Sequence, residues 1–381
     1  MKVFRTLAIL LSSILILNGC SKTPEIQNMA YATAIGVDFD KGKWIAYAQI
    51  LNFANISHSE QVNIGKPVPI WVGKGKGDTL ALALTDISRT SQLHVFWGHV
   101  NAVVMTEAVL KKGVTSVYSA INRYREVRYN ILIYGTKREL PEILTQKSLL
   151  NLSPLSTIMF TAMQSDSPYS IIMPVTGNRI IANLNEPGEP GLIPSIDIDA
   201  KDWTEDKKAK PLFNLSGGYF FQKNKMIGWM SEKDLQGMRW AEVKLERMPL
   251  QVDVNGSPAA VIMCMTPKMV IQPASVKGDV KFNIEVDAKG YVIELLQDVP
   301  MDQLKRQAIE TIRKEIITTH LKAIKVKCDP FRLRESLYRS DPSEFHRLSR
   351  ANPFFLTDGS IGDIHVDIHL MNTGKYKGTE R

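Results

Sequence analysis

The feature that most constrains this chain lies at its start. An apolar run from Leu7 to Leu17, interrupted only by Ser12 and Ser13, follows Lys2 and Arg5 and stops at Asn18-Gly19-Cys20. A bilayer-spanning helix needs about 20 consecutive apolar residues, and this run reaches roughly half of that before the polar SKTPEIQN begins. A positive end, a short apolar core and a small-residue cleavage site, in that order, describe a secretory signal segment over residues 1–19. No second apolar stretch approaches spanning length, so the remainder is expected to fold in water. Of 381 residues, removing 1–19 leaves 362, too many for one typical core and comfortable for two or three domains.

Leu17-Asn18-Gly19-Cys20 is similar to a bacterial lipobox, in which the cysteine thiol is diacylglycerated before cleavage makes it the new N-terminus. On that reading Cys20 is the lipidation site and residues 20–29 are a polar tether. The alternative is an ordinary signal peptide followed by a coincidental cysteine. Each buried methylene contributes about 0.8 kcal/mol, so one acyl chain holds marginally, whereas two or three on one residue hold a protein stably on lipid. The expected address is the outer face of a cytoplasmic membrane.

A charged content of 23% beside 44% hydrophobic residues is that of an ordinary globular protein. The formal net charge of +8 falls by two without Lys2 and Arg5. In an exported protein that surplus points to anionic lipid headgroups or an acidic partner rather than to nucleic acid. Beyond Cys20 only Cys264 and Cys328 remain. Two separate, unreactive thiols are expected, with a disulfide as the alternative in an oxidising compartment.

The pattern of elements predicts a mixed α/β, or α+β, multidomain fold. TAIGVDF and WIAYAQILNF flank Asp40-Lys41-Gly42 as a β-hairpin. Asp78 or Thr79 caps a helix with Leu80, Leu84 and Ile87 on one face. HVNAVVM, a helix opened by Thr106 and carrying Leu110, Val114, Val117 and Ile121, and YNILIYG make a βαβ unit; a short helix follows over 136–145. No period is legible in 146–184. Prolines 187, 190, 194 and 211 beside the charge run DAKDWTEDKKAKP mark 185–214 as a linker. It separates an N-terminal α/β domain over 30–184, single or in two subdomains, from a C-terminal α+β domain over 215–381. In the latter, GGYFFQKNKMIGWM reads as a hairpin, Ser231 and Asp234 as a capping box opening a helix toward Trp240, and KFNIEVDA and YVIELL as paired strands turning at Lys289-Gly290. Met301, Leu304, Ala308, Ile312, Ile316 and Leu321 form a helical stripe, and GDIHVDIHL alternates strictly.

No assembled active site emerges from the residues. None of Ser216, Ser257 or Ser360 has glycine at both flanking positions of a nucleophile elbow. HExxH and CxxC are absent, and GKGKGD does not meet the phosphate-loop spacing. No cofactor is implied, and the chain is expected not to be an enzyme. Asp363, His365, Asp367 and His369 share one face of a strand at spacings of about 7 Å, but one strand cannot wrap a metal, so a solvated or partner-facing surface is expected. FRLRESLYRSDPSEFHRLSR reads as a helical, exposed or interface-forming basic face over Arg332–Arg350.

The run SQLHVFWGHVNAVVMTEAVLKKGVTSVYSAINRYREVRYNILIYGTKRELPEIL, with its Gly-His before a strand, Glu107, Gly113 and the Arg-rich turn Arg123 to Arg128, resembles the spore-germination receptor C-subunit lipoproteins, the Ger(x)C family. YFFQKNKMIGWMSEKDLQGMRW is a second match, similar to that family's aromatic hairpin and short helix. The resemblance implies a multidomain mixed α/β fold and a site on the inner membrane of a bacterial spore. It also implies assembly with an A-type and a B-type integral membrane subunit that together respond to nutrients. It carries over no catalytic residue. A solute-binding lipoprotein that captures a nutrient between two lobes is the competing expectation, and an exported enzyme acting on cell-wall material is a third.

Overall fold

The computed structural model describes residues 29–52, 68–161, 171–241, 245, 247–276 and 279–371. The signal segment, Cys20 and the tether up to residue 28 lie outside the described residues.

The first unit is a large mixed sheet between two helical layers. Its strands are β1 (Met29–Asp40), β2 (Lys43–Leu51), β3 (Ile70–Gly77), β4 (His94–Phe96), β5 (Ala102–Thr106), β6 (Leu132–Thr136), β7 (Val175–Thr176) and β8 (Gly191–Asp199). A two-residue ribbon, β9 (Thr204–Glu205) with β10 (Lys208–Ala209), projects before β11 (Leu212–Gln222) and β12 (Lys225–Ser231) complete the sheet. The spatial order is β12-β11-β8-β6-β5-β1-β2-β3, with β4 on β1 and β7 on β6. The neighbours β1, β5 and β6 run parallel. The expected hairpin is β1–β2, with Asp40 opposite Lys43.

Helices α1 (Leu80–Ser88), α2 (Glu107–Lys112), α3 (Val114–Asn122) and α5 (Gly177–Asn185) cover one face, and α4 (Leu140–Leu144) the other. As expected, Thr79 caps α1 by accepting from the Leu82 amide at 3.2 Å, and Leu80, Leu84 and Ile87 are buried. Period-two alternation divides the strands between the two cores: Val103, Met105 and Ile133 pack toward α1–α3, and Ala102, Val104 and Tyr134 toward α4.

The second unit is the sheet β13 (Arg247–Val254), β14 (Ser257–Val276), β15 (Asp279–Leu295) and β16 (Ile361–Met371), paired in that order. The predicted long helix is α6 (Met301–Lys325), with Leu304, Ala308, Ile312 and Ile316 buried against the sheet. Each such fully buried Leu or Ile contributes about 1.5–3 kcal/mol relative to exposure. The chain then forms α7 (Leu333–Ser340) and α8 (Pro342–Ala351) and returns as β16, parallel to β15. The fold is mixed α/β and multidomain, as expected.

Several elements differ from the sequence reading. The helix opened at Thr106 breaks into α2 and α3 at Gly113, whose φ of 114° no helix contains. Asn224, from the β11–β12 turn, fills the break and accepts from the Thr115 amide and hydroxyl at 3.0 and 2.9 Å. Thr106 does not cap α2; its hydroxyl donates to Asp38 instead. KFNIEVDA and YVIELL are one strand, β15: Lys289 and Gly290 pair with Met265 and Cys264 beside a register shift in β14. The capping contact forms, the Asp234 amide donating to Ser231 Oγ at 3.1 Å, but it leads into a 3-10 turn, Gln236–Trp240, rather than an α-helix. Within 185–214, read as a linker, β8 lies inside the large sheet. Pro194 sits opposite Gly218 of β11, and the β6 side of β8 pairs only at Gly135–Ser195, so little ladder is lost to a residue without an N–H.

Candidate functional site

Cys20 lies outside the described residues, so the structure neither positions it nor gives it partners. The alternating strand is β16, at the edge of its sheet. Val366 and Ile368 are buried, while Asp363, His365, Asp367 and His369 are all exposed. Across the ladder His365 faces Glu285 and Asp367 faces Asp287, and Lys305 reaches Asp367 at 3.1 Å. Among the described residues no group of three or more His, Cys, Asp or Glu side chains is placed to hold a metal ion.

The arginine-rich segment has a structural part to play. Arg334 is buried with its guanidinium 5.8 Å from the Phe345 ring and 5.6 Å from Phe355. Asp329 accepts from the Leu333 and Arg334 amides at 3.0 and 2.9 Å; burial pushes its carboxyl up to about 6 against the pull of those bonds and of Arg334. Arg339 pairs with Glu335 at 2.6 Å and reaches Glu186 at 3.9 Å; Arg332 reaches Glu189 at 3.4 Å. The basic face therefore reaches from α7 to the loop between α5 and β8.

That contact is part of a filled junction. Phe220, Met230, Leu235, Met238, Ala323 and Cys328 form a buried cluster where β11–β12 meets the end of α6. The Gln222 amide group donates to the Pro353 carbonyl at 3.1 Å. Among the described residues this junction is filled with apolar side chains rather than open to water. Cys328 lies in this cluster and Cys264 in the core of the second sheet, both as free thiols.

A concave site forms elsewhere, from residues that the sequence reading did not bring together. β5 hands the chain to α2 and α3 on one face of the large sheet, and its parallel neighbour β6 hands it to α4 on the other. Where adjacent parallel strands send their connections to opposite faces, a crevice opens outside their carboxyl ends. Here it encloses about 550 Å³, between Asp38 of β1, Thr106 and Glu107 after β5, and Thr136 to Leu140 after β6. Asp38 Oδ1 accepts from the Thr106 hydroxyl at 2.6 Å and the Phe39 amide at 2.8 Å. Arg138 donates to Asp197 at 2.6 Å and the Ile198 carbonyl at 3.1 Å. Lys137 lies 3.2 Å from the centre of the Trp229 ring. Gly135 admits the Tyr219 ring, which a Cβ there would meet at 2.5 Å. A sequence signal existed in the polar residues within DFD, MTEA and YGTKRE, which stand at the ends of β1, β5 and β6.

Comparison with known proteins places this architecture. Residues 22–198 match the family described as spore germination protein N-terminal domain, and 216–374 match spore germination B3/GerAC like, C-terminal. The chain belongs to the Ger(x)C family of spore-germination receptor C-subunits. It is 24% identical to spore germination protein KC of Bacillus subtilis (strain 168) over 387 residues, covering 96% of this chain and 95% of that one. Spore germination protein B3 of the same organism is 20% identical, over 77% of this chain and 76% of its own. A solved structure titled crystal structure of the GerBC protein shares the fold, at 14% identity and a TM-score of 0.53, covering 91% of this chain and all of that one. The second matched segment begins inside β11, so residues of the C-terminal family domain supply most of two strands to the N-terminal sheet.

Proposed function

We propose that this chain is the lipid-anchored, non-enzymatic C-type subunit of a nutrient germinant receptor. It is held by an acylated Cys20 on the outer face of the cytoplasmic membrane that becomes the spore inner membrane, and it assembles there with A-type and B-type integral membrane subunits. The observation that carries this reading is the ordered match of both halves to germination-protein domains, preceded by an apolar run that ends at a cysteine. Among the described residues no helix is long and apolar enough to cross a membrane, so acyl chains would supply the attachment. Confinement to the plane of the membrane raises the effective concentration at partner subunits.

The test is Cys20→Ala in the native spore. Membrane retention and germination in response to nutrient should fall together, while the purified variant keeps the circular dichroism and melting behaviour of the wild type. A normal germination response from a protein shed into the soluble fraction, or mass spectrometry showing an unmodified Cys20 thiol in the membrane-bound wild type, overturns the reading.

A further inference from the structure

We propose that the open edge of β16 is a self-association surface, at which a second copy of this chain adds its own β16 antiparallel, about a two-fold axis at Val366. The inference goes beyond the receptor role and does not depend on how the chain is anchored.

The backbone supplies the first argument. β16 ends its sheet, with β15 on one side and, among the described residues, no strand on the other. The Asp363 amide points toward β15, donating to Asn283 Oδ1 at 3.0 Å, and the Ile364 carbonyl points away, accepting from Arg313 Nε at 3.0 Å. Alternation then turns the N–H and C=O groups of Val366 and Ile368 to the open side. The opposite edge of the sheet is guarded. There β13 carries Pro249, whose carbonyl accepts from Arg239, and proline is one of the devices that keep an edge from pairing. β16 runs for 11 residues without one.

The side chains supply the second argument. Asp363-Ile364-His365-Val366-Asp367-Ile368-His369 is complementary to its own reverse. Centred on Val366, antiparallel pairing sets Asp363 against His369, Ile364 against Ile368 and His365 against Asp367, each twice. The apolar pairs then fall where both backbones turn their hydrogen-bonding groups to the seam, and the Asp–His pairs fall at the closer, non-hydrogen-bonded positions, where an imidazole N–H can donate to the carboxylate opposite. Centring one residue earlier or later sets Asp against Asp and His against His, so the charges select one register. That register also brings the second copy's Leu370 to the end of the strand where Ile317 of α6, 44% exposed, lines a groove of about 460 Å³ with Arg313 and Gly362.

The groups already touching this edge leave it usable. Lys305 reaches Asp367 at 3.1 Å between exposed side chains, a contact of small net value, and the carboxylate keeps its other oxygen for an incoming imidazole. Across the ladder Asp367 faces Asp287, a like-charge pair that the same imidazole offsets. The Ile364 carbonyl has a second lone pair beside its bond to Arg313. Adding one strand to another buries less surface than a permanent dimer needs, so the association is weak in dilute solution and is best read by trapping.

Differently tagged full chains, one His365→Cys and the other Asp367→Cys, are co-expressed and oxidised with copper phenanthroline, with wild-type chains as the background. In the Val366-centred register these two positions face each other at about 4.5 Å between Cα atoms, within the range a disulfide spans, while three of the four Asp–His pairs survive. Like positions lie on the diagonal, about 7–8 Å apart. The mixed disulfide should therefore exceed both 365–365 and 367–367 disulfides. Adding His369→Asp to both chains sets carboxylates against each other at both ends of the seam and should slow cross-linking about tenfold, and adding Asp363→His as well should restore it. No mixed disulfide above the background, a like-position disulfide that equals it, cross-linking unchanged by His369→Asp, or no recovery with Asp363→His overturns the proposal. Cross-linking reads neither membrane retention nor germination, so either reading can fail alone.

Discussion

Replacing Glu315 by alanine tests how the second unit is held together. Glu315 lies on α6 with its side chain 12% exposed, against Arg239 at 10%. Its carboxylate accepts from Arg239 Nη2 at 2.7 Å, from Arg239 Nε at 3.0 Å and from the Trp240 indole N–H at 2.8 Å. Arg239 retains one other hydrogen bond, from Nη1 to the Pro249 carbonyl at 3.0 Å. Glu315→Ala therefore strands a buried guanidinium and a buried indole N–H at once. Breaking one side of a buried pair costs about 3–5 kcal/mol, most of it the desolvation of the charge left behind. Urea unfolding followed by tryptophan fluorescence should show the midpoint falling with little change in slope. The double variant Arg239→Met/Glu315→Ala removes the stranded charge and should recover about half of the loss, giving a coupling energy above about 1 kcal/mol in the mutant cycle. A loss below about 1 kcal/mol in the single variant, or a strictly additive double variant, would refute the reasoning, because the pair would then be solvated like a surface ion pair.

Two further outcomes follow from buried titratable groups. Burial pushes the His320 imidazole below its ordinary value of 6.5, against a hydrogen bond between Nε2 and the Thr357 carbonyl at 2.9 Å. The unfolded chain then binds the proton first, so the stability this group contributes is present above about pH 6.5 and is lost as pH falls through the window below it. The stability difference between wild type and His320→Gln, measured by urea unfolding at a series of pH values, should shrink on acidification, and a flat difference would contradict the burial. Desolvation also pushes both the Cys264 and Cys328 thiols up to about 12. Iodoacetamide at mildly alkaline pH should leave both unmodified in the folded protein and label both in urea, read by mass; rapid labelling of Cys328 in the native state would show that the junction opens.

What the sequence disclosed, and what it hid, divides by the range of the interactions involved. Thr79 and the stripe from Leu304 to Ile316 were legible because a cap and an amphipathic face are local patterns. The alternation in β16 was legible because one side meets a core and the other meets water. Lys289-Gly290 misled because turn propensity is weaker than a ladder already set on both sides: β14 pairs on one edge of β15 and β16 on the other. The break at Gly113 depends on Asn224, more than a hundred residues away in sequence, and no local period could have revealed it. The crevice was missed because the βαβ pattern brings Glu107 and Arg138 to one end of the sheet, whereas Asp38 joins them only through the parallel pairing of β1 with β5, which the hairpin reading of β1 did not contain.

The same long-range construction bears on how the two halves move. If they were beads on a linker, a contact made by one would not be felt by the other. Here β11 and β12 are covalently continuous with the second unit yet hydrogen-bonded into the first sheet, β11 pairing with β8 over most of its length. Tyr219 of β11 lies over Gly135, and Trp229 of β12 carries Lys137, so this hairpin packs against the end of β6 and the residue that follows it. Its other side meets the end of α6: a Cβ on Gly228 would lie 3.1 Å from the Val326 carbonyl and 3.2 Å from Cys328 Sγ. Separating the halves would require breaking the β8–β11 ladder or exposing the buried junction cluster, so independent domain rocking is not an inexpensive motion for this fold. Among the described residues this hairpin is bonded to one half and packed against the other, so a displacement of either half bears on the other through it.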